Sequence, residues 1–365
     1  MVHEDLFEKD FNPVDNLTAL CRENSSYLRG DYPELEVGKT YRVTHIGVFR
    51  SRTDLILEGF GHKDYNAACF DLYEDGEPLG RDFTRDFRFL APYLKEMIRM
   101  SSPERYAERL KEVDICAHLR CIQKEHGVKI LLAVLGGSRA MGLASNNSDW
   151  DVYFLYVHKP EWYNQSGEHS VEIKQVFDDG VDTYGWELKD ALSYLGKGNP
   201  TIVEWLNSPE IYMAKAPLCK GLREIWRAHF NPGTAIRHYN QVYSKLNERF
   251  IQENGNLKEF LYYLRGVLAC KWIEIKGTLP PIYFTELVDK TVGNEQSRAK
   301  IKDLVKVKRS SENYDNVVID AGLIETAQQW ATYCDGLAKS AASDSTPALQ
   351  DELDALFKEM LQQYP

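Results

Sequence analysis

The spacing of hydrophobic and polar residues changes near residue 100 of the chain. Before that point, short apolar runs separated by Gly, Asp and Asn predict strands at Tyr41–Phe49, Leu55–Phe60, Ala67–Tyr73 and Phe83–Leu90. The dipeptide Asp75-Gly76 follows one of these runs and predicts a hairpin turn, because glycine tolerates a positive φ. The first hundred residues are therefore predicted to form a small β-rich domain, either a barrel or a curled sheet.

A long helix is predicted to follow this region. It begins at Ser102-Pro103, because Ser caps helix N-termini and Pro suits the first helical position, and it ends at Gly127. Two apolar runs, Ile130–Leu135 and Val152–Val157, then predict buried strands. The buried face of the helix is predicted from apolar residues at steps of four, three and four: Tyr106, Leu110, Val113 and Ala117.

The rest of the chain is predicted to contain one hairpin and then mostly helices. The hairpin spans Val171–Trp186 and turns at Asp178-Asp179-Gly180, and helical periodicity dominates from Glu187 onward. The predicted fold class is α+β. The predicted domains are a β-rich accessory domain at 1–100, a mixed sheet with helices at 101–210, a helical domain at 211–340, and a linker with a short amphipathic helix at 341–365.

Composition and charge narrow the class of protein. The chain has 365 residues and a net charge of −11, which argues against a general nucleic-acid coat but leaves room for a local basic groove. It contains no apolar run of the roughly 18 residues that a membrane span needs. The seven cysteines form no CxxC pair, and the acidic N-terminus does not look like a secretory signal. We therefore expect a cytoplasmic protein with reduced thiols and no membrane association.

The candidate chemistry lies around the two buried strands. The strand at Ile130–Leu135 ends in Gly136-Gly137, where backbone amides can approach a ligand, and Ser138-Arg139 follows with two phosphate-binding residue types. Asp149 and Asp151 open the next strand, and alternation places both carboxylates on one face. Two carboxylates side by side repel each other, and a divalent cation such as Mg²⁺ compensates that repulsion. The pattern predicts metal-assisted phosphoryl chemistry.

These motifs resemble those of a known superfamily. Gly137-Ser138 followed by Asp149-x-Asp151 is similar to the signature of the DNA polymerase beta-type nucleotidyltransferases. The fuller string at 137–145, with Ser148 preceding Asp149, resembles a narrower family, the predicted nucleotidyltransferases of bacterial RNA-repair operons. The likeness runs from about residue 110 to about residue 310.

The resemblance implies a fold and a reaction. The fold is a polymerase beta-like core at 101–210, followed by the helical domain, and the enzyme moves a nucleoside monophosphate from an NTP, such as ATP, to a hydroxyl with release of pyrophosphate. Mg²⁺ or Mn²⁺, as two ions, is implied as cofactor. Asp149 and Asp151 match two of three catalytic, metal-binding carboxylates, and Asp182 is the candidate third, with Glu172 as runner-up. The operon association suggests RNA or tRNA as acceptor.

The resemblance also suggests residues that bind the nucleotide. Lys258, Tyr262 and Arg265 fall on one helix face, so they are candidates to face the triphosphate across a cleft. Lys197 and Asn199 are weaker candidates, because the Lys197–Pro200 segment also suits a helix stop and start. The predicted nucleotide-binding residues are Gly137, Ser138, Arg139, Ser148, Lys197, Asn199, Lys258, Tyr262 and Arg265.

Several alternatives remain at this level. The same carboxylates would serve transfer to a protein or to a small molecule, and a silent polymerase beta-like module would act as an antitoxin or nucleic-acid adaptor. The basic run Lys302–Arg309 is predicted to be a solvated helix, with a nucleic-acid path as the alternative. The N-terminal domain would recognise the acceptor or serve as a structural or dimerisation element. The oligomeric state is left open.

Overall fold

A computed structural model of the chain describes residues 11–26, 30–49, 53–61, 63–79, 87–164, 172–252, 256–310, 317–340 and 347–363. The chain divides into two compact units, residues 1–117 and 118–365, and each is described by itself. The domain boundaries predicted at residues 100, 210 and 340 stay predictions.

The first unit is built on an antiparallel sheet. Its strands pair in the order β6-β5-β4-β1-β7-β8, and a separate two-stranded pair joins β2 to β3. The buried face is aliphatic and aromatic, with Leu17, Ile46, Leu55 and Tyr65 almost fully enclosed. The strands are β1 Asn12–Cys21, β2 Ser25–Ser26, β3 Gly30–Asp31, β4 Thr40–Val48, β5 Thr53–Leu57, β6 Asp64–Asn66, β7 Phe70–Glu74 and β8 Glu77–Pro78.

The predicted β-rich character of this unit is confirmed, although single strands differ. Strand β1 was not predicted, because its first half is exposed and polar and alternation becomes visible only near Leu17. Ala67–Cys69 form a 3₁₀ turn rather than a strand, since the Asn66 side chain accepts a hydrogen bond from the backbone N–H of Ala68 at 2.9 Å. The predicted strand at 83–90 is a 3₁₀ turn at Phe87–Phe89, and residues 80–86 lie outside the described part.

Two helices follow the sheet, α1 Pro92–Ser101 and α2 Pro103–His126. The second begins and ends as predicted, and Gly127 stops it with a φ of 62°. The predicted buried face is wrong, since Leu110 is 43% exposed whereas Leu119 and Ile122 are fully buried. The buried face instead carries Ile115, Leu119 and Ile122, which are large aliphatic side chains at positions i, i+4 and i+7.

The second unit contains a five-stranded sheet. Its strands pair in the order β11-β12-β10-β9-β13, and only β10 and β12 run parallel among these pairs. Both predicted buried strands and the predicted hairpin, which turns at residues 178–180, are present. The strands are β9 Lys129–Leu135, β10 Trp150–Val157, β11 Glu172–Phe177, β12 Val181–Glu187 and β13 Ile211–Ala214.

Helices pack on this sheet and continue beyond it. Two apolar cores result: one lies between the sheet and α4, α5, α6 and α12, and the other joins α7 to α11. The helices are α3 Gly137–Ala140, α4 Leu188–Gly196, α5 Thr201–Trp205, α6 Ala216–His229, α7 Pro232–Gln252, α8 Leu257–Lys276, α9 Phe284–Thr291, α10 Glu295–Ser310, α11 Ala321–Ser340 and α12 Pro347–Gln363.

The C-terminal helix α12 belongs to the sheet-side core. Its predicted apolar face is confirmed, because Leu353, Leu356 and Met360 are buried against the leucines of α4 and α6. The predicted linker before it, residues 341–346, lies outside the described residues. Strand β13 was not predicted, since its apolar run is only four residues long and both end residues are exposed.

The confirmed fold class is α+β, with a strand-rich N-terminal unit, a mixed sheet and a helical C-terminal region. Within the described residues, no helix combines the length and the apolar character needed to cross a bilayer.

The corrected face of α2 gives a stability prediction. Leu119→Ala removes a fully buried side chain, so we expect it to lower the free energy of unfolding by about 2–5 kcal/mol. Leu110→Ala, on the same helix, serves as the matched control and should cost less than ~0.5 kcal/mol, because Leu110 is exposed. Denaturant titration of both variants measures the difference, and equal losses would contradict this assignment of the buried face.

Candidate active site

The glycine turn after β9 lies directly against β10. Gly137 has a φ of 56°, and a Cβ at that position would overlap the carboxylate of Asp151. A Cβ at Gly136 would overlap the ring of Tyr153, the next residue on the same face of β10. The Gly136 N–H donates to the Asp151 carbonyl at 2.7 Å, and the Ser138 N–H donates to the Asp151 carboxylate. Only glycines permit this approach.

The parallel pairing of β10 and β12 brings two carboxylates together. Asp151 and Asp182 are direct partners in the register of these strands. They form the second residue pair from the N-terminal ends of β10 and β12. Asp149 precedes the start of β10 and is exposed, and its charge still acts on Asp151. The structure therefore gathers the three predicted catalytic carboxylates at one end of the sheet.

Glu172 lies elsewhere. It pairs with Trp186, at the opposite end of β12 from Asp182. Its carboxylate accepts a hydrogen bond from the Tyr184 hydroxyl at 2.5 Å and forms an ion pair with Lys174 at 3.3 Å. These contacts hold Glu172 at the sheet surface, away from Asp151.

The negative charges of Asp149, Asp151 and Asp182 favour the binding of a cation. Burial raises the pKa of Asp151 above its ordinary value, and the negative charges of Asp182 and Asp149 raise it further. Oxygen ligands with uncompensated negative charge are what Mg²⁺ prefers. Among the described residues, no group of three or more His, Cys, Asp or Glu side chains is close enough to hold a metal by itself.

A cleft of about 460 Å³ opens beside Asp151. The glycine turn and β10 form one wall, and α8 forms the opposite wall with Lys258, Tyr262 and Arg265. The positive charge of Lys258 opposes the raised pKa of Asp151, which means that the two side chains interact across the cleft. The predicted helix face thus lies in the same cleft as Gly137 and Asp151.

A second lysine contributes to the charge on this side. Lys308 on α10 is only 2% exposed, and burial lowers its pKa, with the charge of Lys258 lowering it further. Lys302 and Lys306 of the same helix form surface ion pairs with Asp289 and Asp303, at 2.6 and 2.8 Å. The basic run is therefore solvated only in part, and its C-terminal end lies near Lys258.

The inner part of the cleft contains a polar group that the sequence did not reveal. Glu204 of α5 accepts a hydrogen bond from the Tyr239 hydroxyl at 2.5 Å and pairs with Arg265 at 3.3 Å. The Nε of Arg265 is buried without a hydrogen-bond partner. The ring of Trp205 stacks on Tyr153 at 5.4 Å and contributes an aromatic surface to the same cleft.

Arg139 is bound within the loop that carries Asp149. Its guanidinium donates to the carbonyl of Ser148 at 2.5 and 3.1 Å and to that of Asp149 at 3.1 Å. It also lies over the Trp150 ring, 4.2 Å from the centroid. Ser148 in turn accepts the Ser145 N–H at 2.9 Å, and Ser138 is buried. In this arrangement Arg139 and Ser148 order the loop rather than line the cleft.

Lys197 and Asn199 lie in a different cavity from Asp151. That cavity is formed by the turn after α4 and by α7. Asn199 lies one residue before the N-cap of α5, Pro200, and its Oδ1 accepts the Thr201 N–H at 2.9 Å. The alternative prediction of a helix stop and start at Lys197–Pro200 agrees with this local structure.

The polar residues that line the cleft and that the sequence did not indicate as candidates are Glu204, His238 and Tyr239. Glu204 fell within the segment of resemblance, but its side chain had no assigned partner until α5, α7 and α8 came together. His238 and Tyr239 sit in a long helix whose periodicity predicts packing alone.

Comparison with known proteins shows the family of this chain. A family model described as RNA repair pathway DNA polymerase beta family (RlaP) matches residues 112–359, and the chain belongs to that family. An uncharacterized protein, YcgL, of Bacillus subtilis (strain 168) is 36% identical over 202 residues, covering 55% of this chain and 78% of that protein.

Among solved structures, a crystal structure of a nucleotidyltransferase-like protein from Exiguobacterium sibiricum 255-15 is 14% identical. The match covers 68% of this chain and 80% of that chain, with a TM-score of 0.25.

The raised pKa of Asp151 predicts a pH-dependent stability. The folded chain holds this proton more tightly than the unfolded chain, whose Asp pKa is about 3.9, so the contribution of Asp151 to stability falls as the pH rises through its raised pKa. At neutral pH in EDTA, Asp151→Asn should raise the melting temperature by about 2–4 °C.

The matched control is Asp114→Asn, an exposed position on α2. We expect no gain from it, and we expect the gain of Asp151→Asn to disappear as the pH approaches 4. A lower melting temperature for Asp151→Asn at neutral pH would contradict the assignment of buried charge repulsion.

Proposed function

We propose that this chain transfers a nucleoside monophosphate from an NTP, such as ATP, to a hydroxyl acceptor and releases pyrophosphate. One observation carries the proposal: Asp151, which is paired in register with Asp182 beside a glycine turn, lines a cleft that Lys258 also lines. Acidic oxygens for a metal and a cation for phosphates thereby face the same space. Membership of the RNA repair polymerase beta family supports this reaction class.

The glycine turn and helix α8 have different roles in this proposal. The Gly137 turn positions the Asp151 carboxylate, because the Ser138 N–H donates to it, while Lys258 and Tyr262 bind the triphosphate from α8. Lys258 then neutralises the charge that develops on the leaving pyrophosphate. Arg139 supports this chemistry indirectly, because it holds the loop of Asp149 through the carbonyls of that loop.

Arg265 has a supporting role in the same cleft. Its ion pair with Glu204 and the buried position of its Nε fix the guanidinium at the inner end. Ground-state binding of the NTP therefore depends on Lys258 more than on Arg265.

Proton and bond changes follow from this placement. The acceptor hydroxyl oxygen attacks the α-phosphorus, a new phosphorus–oxygen bond forms, and the bond from that phosphorus to the bridging oxygen of pyrophosphate breaks. Asp182 accepts the hydroxyl proton as general base or orients the hydroxyl, since it is the partner of Asp151 at the open end of the sheet.

Asp149, Asp151 and Asp182 would hold the divalent cation. Mg²⁺ or Mn²⁺ bound there supplies charge compensation for the attacking and leaving oxygens of an in-line displacement. The raised pKa of Asp151 supports this role, because its carboxylate gains most from a nearby positive charge.

The family description supports RNA as the acceptor, with tRNA included, and a cytoplasmic location suits such a substrate. Transfer to a protein or to a small molecule would use the same carboxylates. In a transfer assay, the molecule that carries the label identifies the acceptor.

The role of Asp182 is tested by a pair of variants on the same hairpin. Asp182→Asn keeps the size of the side chain but removes its charge, so kcat should fall by at least ~100-fold. The Kd for Mg²⁺–NTP should change far less than kcat, because Asp149, Asp151 and the nucleotide phosphates still hold the cation. Glu172→Gln is the matched control and should retain nearly full activity, because Glu172 lies at the far end of β12.

Steady-state transfer of label from an α-labelled NTP gives kcat, and calorimetry gives the Kd. The reverse pattern, with a severe loss in Glu172→Gln and a mild one in Asp182→Asn, would remove Asp182 from the catalytic group.

A further inference from the structure

A second cavity, of about 240 Å³, lies beside the catalytic cleft. The turn after α4 forms one side, with Lys197, Gly198 and Asn199, and helix α7 forms the other. His238 of α7 lines both this cavity and the catalytic cleft. The two spaces are therefore neighbours across a single side chain.

The close approach of the turn to α7 depends on a glycine. Gly198 has a φ of 87°, and a Cβ there would overlap the Thr234 side chain. Thr234, Arg237 and His238 occupy i, i+3 and i+4 of α7, so they share one face of the helix. The Oδ1 of Asn199 accepts the Thr201 N–H, so the amide nitrogen is the group of this side chain that can donate to a ligand.

The lining of this cavity is cationic. It includes Lys197 and Arg237, and none of the described residues that line it is an aspartate or a glutamate. Its volume is below the roughly 300–1,000 Å³ of sites for drug-sized ligands, which suits a phosphate group with part of its sugar.

His238 supplies a neutral donor or acceptor between the two spaces. Burial lowers the pKa of His238 below its ordinary value, and the charge of Glu204 opposes this only in part. A neutral imidazole at this position can donate one hydrogen bond and accept another, so it can contact a ligand in either space.

We propose that this cavity binds a phosphate group of the acceptor, which makes the acceptor an oligoribonucleotide end rather than a protein or an uncharged small molecule. The inference rests on the proposed function and deepens it. Lys197 and Arg237 hold the phosphate by charge, Asn199 donates to it, and the acceptor hydroxyl reaches past His238 toward Asp182. Lys197 and Asn199 thereby contact the acceptor and not the NTP.

The test is a binding measurement that needs no catalysis. Anisotropy of a fluorescein-labelled oligoribonucleotide, without NTP, gives the Kd over a range of salt concentrations. Lys197→Gln should weaken binding by about tenfold, and the double variant Lys197→Gln, Arg237→Gln should weaken it further. The logarithm of the association constant falls as the logarithm of the salt concentration rises, and each lost phosphate contact should make that slope less steep by ~0.7.

Lys220→Gln is the matched control. Lys220 is exposed on α6, lies 4.0 Å from Glu224, and its loss makes the same change in net charge. We expect its Kd and salt slope to equal those of the wild type, and melting curves verify that every variant is folded. Equal losses in the control and in Lys197→Gln, or no loss in any variant, would overturn the proposal.

A transfer assay on the same variants separates this proposal from the proposed function. Normal transfer to RNA by a Lys197→Gln, Arg237→Gln variant, with an unchanged KM for the acceptor, overturns the phosphate cavity and leaves the catalytic assignment intact. Weakened oligoribonucleotide binding in a chain that transfers no label supports the cavity and removes the catalytic assignment. Label that appears on a protein instead of RNA overturns the choice of acceptor.

Discussion

The constraint on which the cleft depends is the enclosure of the Asp151 carboxylate. Gly137 leaves room for it, the Ser138 N–H donates to it, and Asp182 faces it from the next strand. Burial and the charge of Asp182 raise the pKa of Asp151, the Ser138 N–H opposes that rise, and negative charge is kept in a partly buried place. The fold therefore holds a carboxylate pair that is unfavourable by itself and becomes favourable when a cation and a phosphate bind.

The rest of the second unit maintains that pair. The parallel register of β10 and β12 sets the position of Asp182, and Arg139 ties down the loop that leads to Asp149. On the other side, α8 is enclosed in the helical core and presents Lys258 to the cleft from a rigid wall. The ion pair of Glu204 with Arg265 joins α5 to α8 across the inner end of the cleft.

Much of this arrangement could be predicted from sequence, because it follows from local pattern. The two buried strands, the hairpin, the glycine turn and the one-face spacing of Lys258, Tyr262 and Arg265 are short-range features. Three features could not be predicted from sequence: the buried face of α2, strand β13, and the Glu204–Tyr239–Arg265 group. Each of them depends on which distant segments pack against it. The role of Arg139 was hidden for the same reason, because its partners are backbone carbonyls of a loop.

The central claim is that the chain moves the α-phosphoryl group of an NTP. The most direct measurement incubates the wild-type chain with Mg²⁺, RNA and an NTP labelled in turn at the α- and the γ-phosphate. The account predicts that the α-label becomes attached to RNA and that the γ-label is released in pyrophosphate. Attachment of the γ-label to the acceptor, or NTP binding with no label transferred to any acceptor, would contradict it.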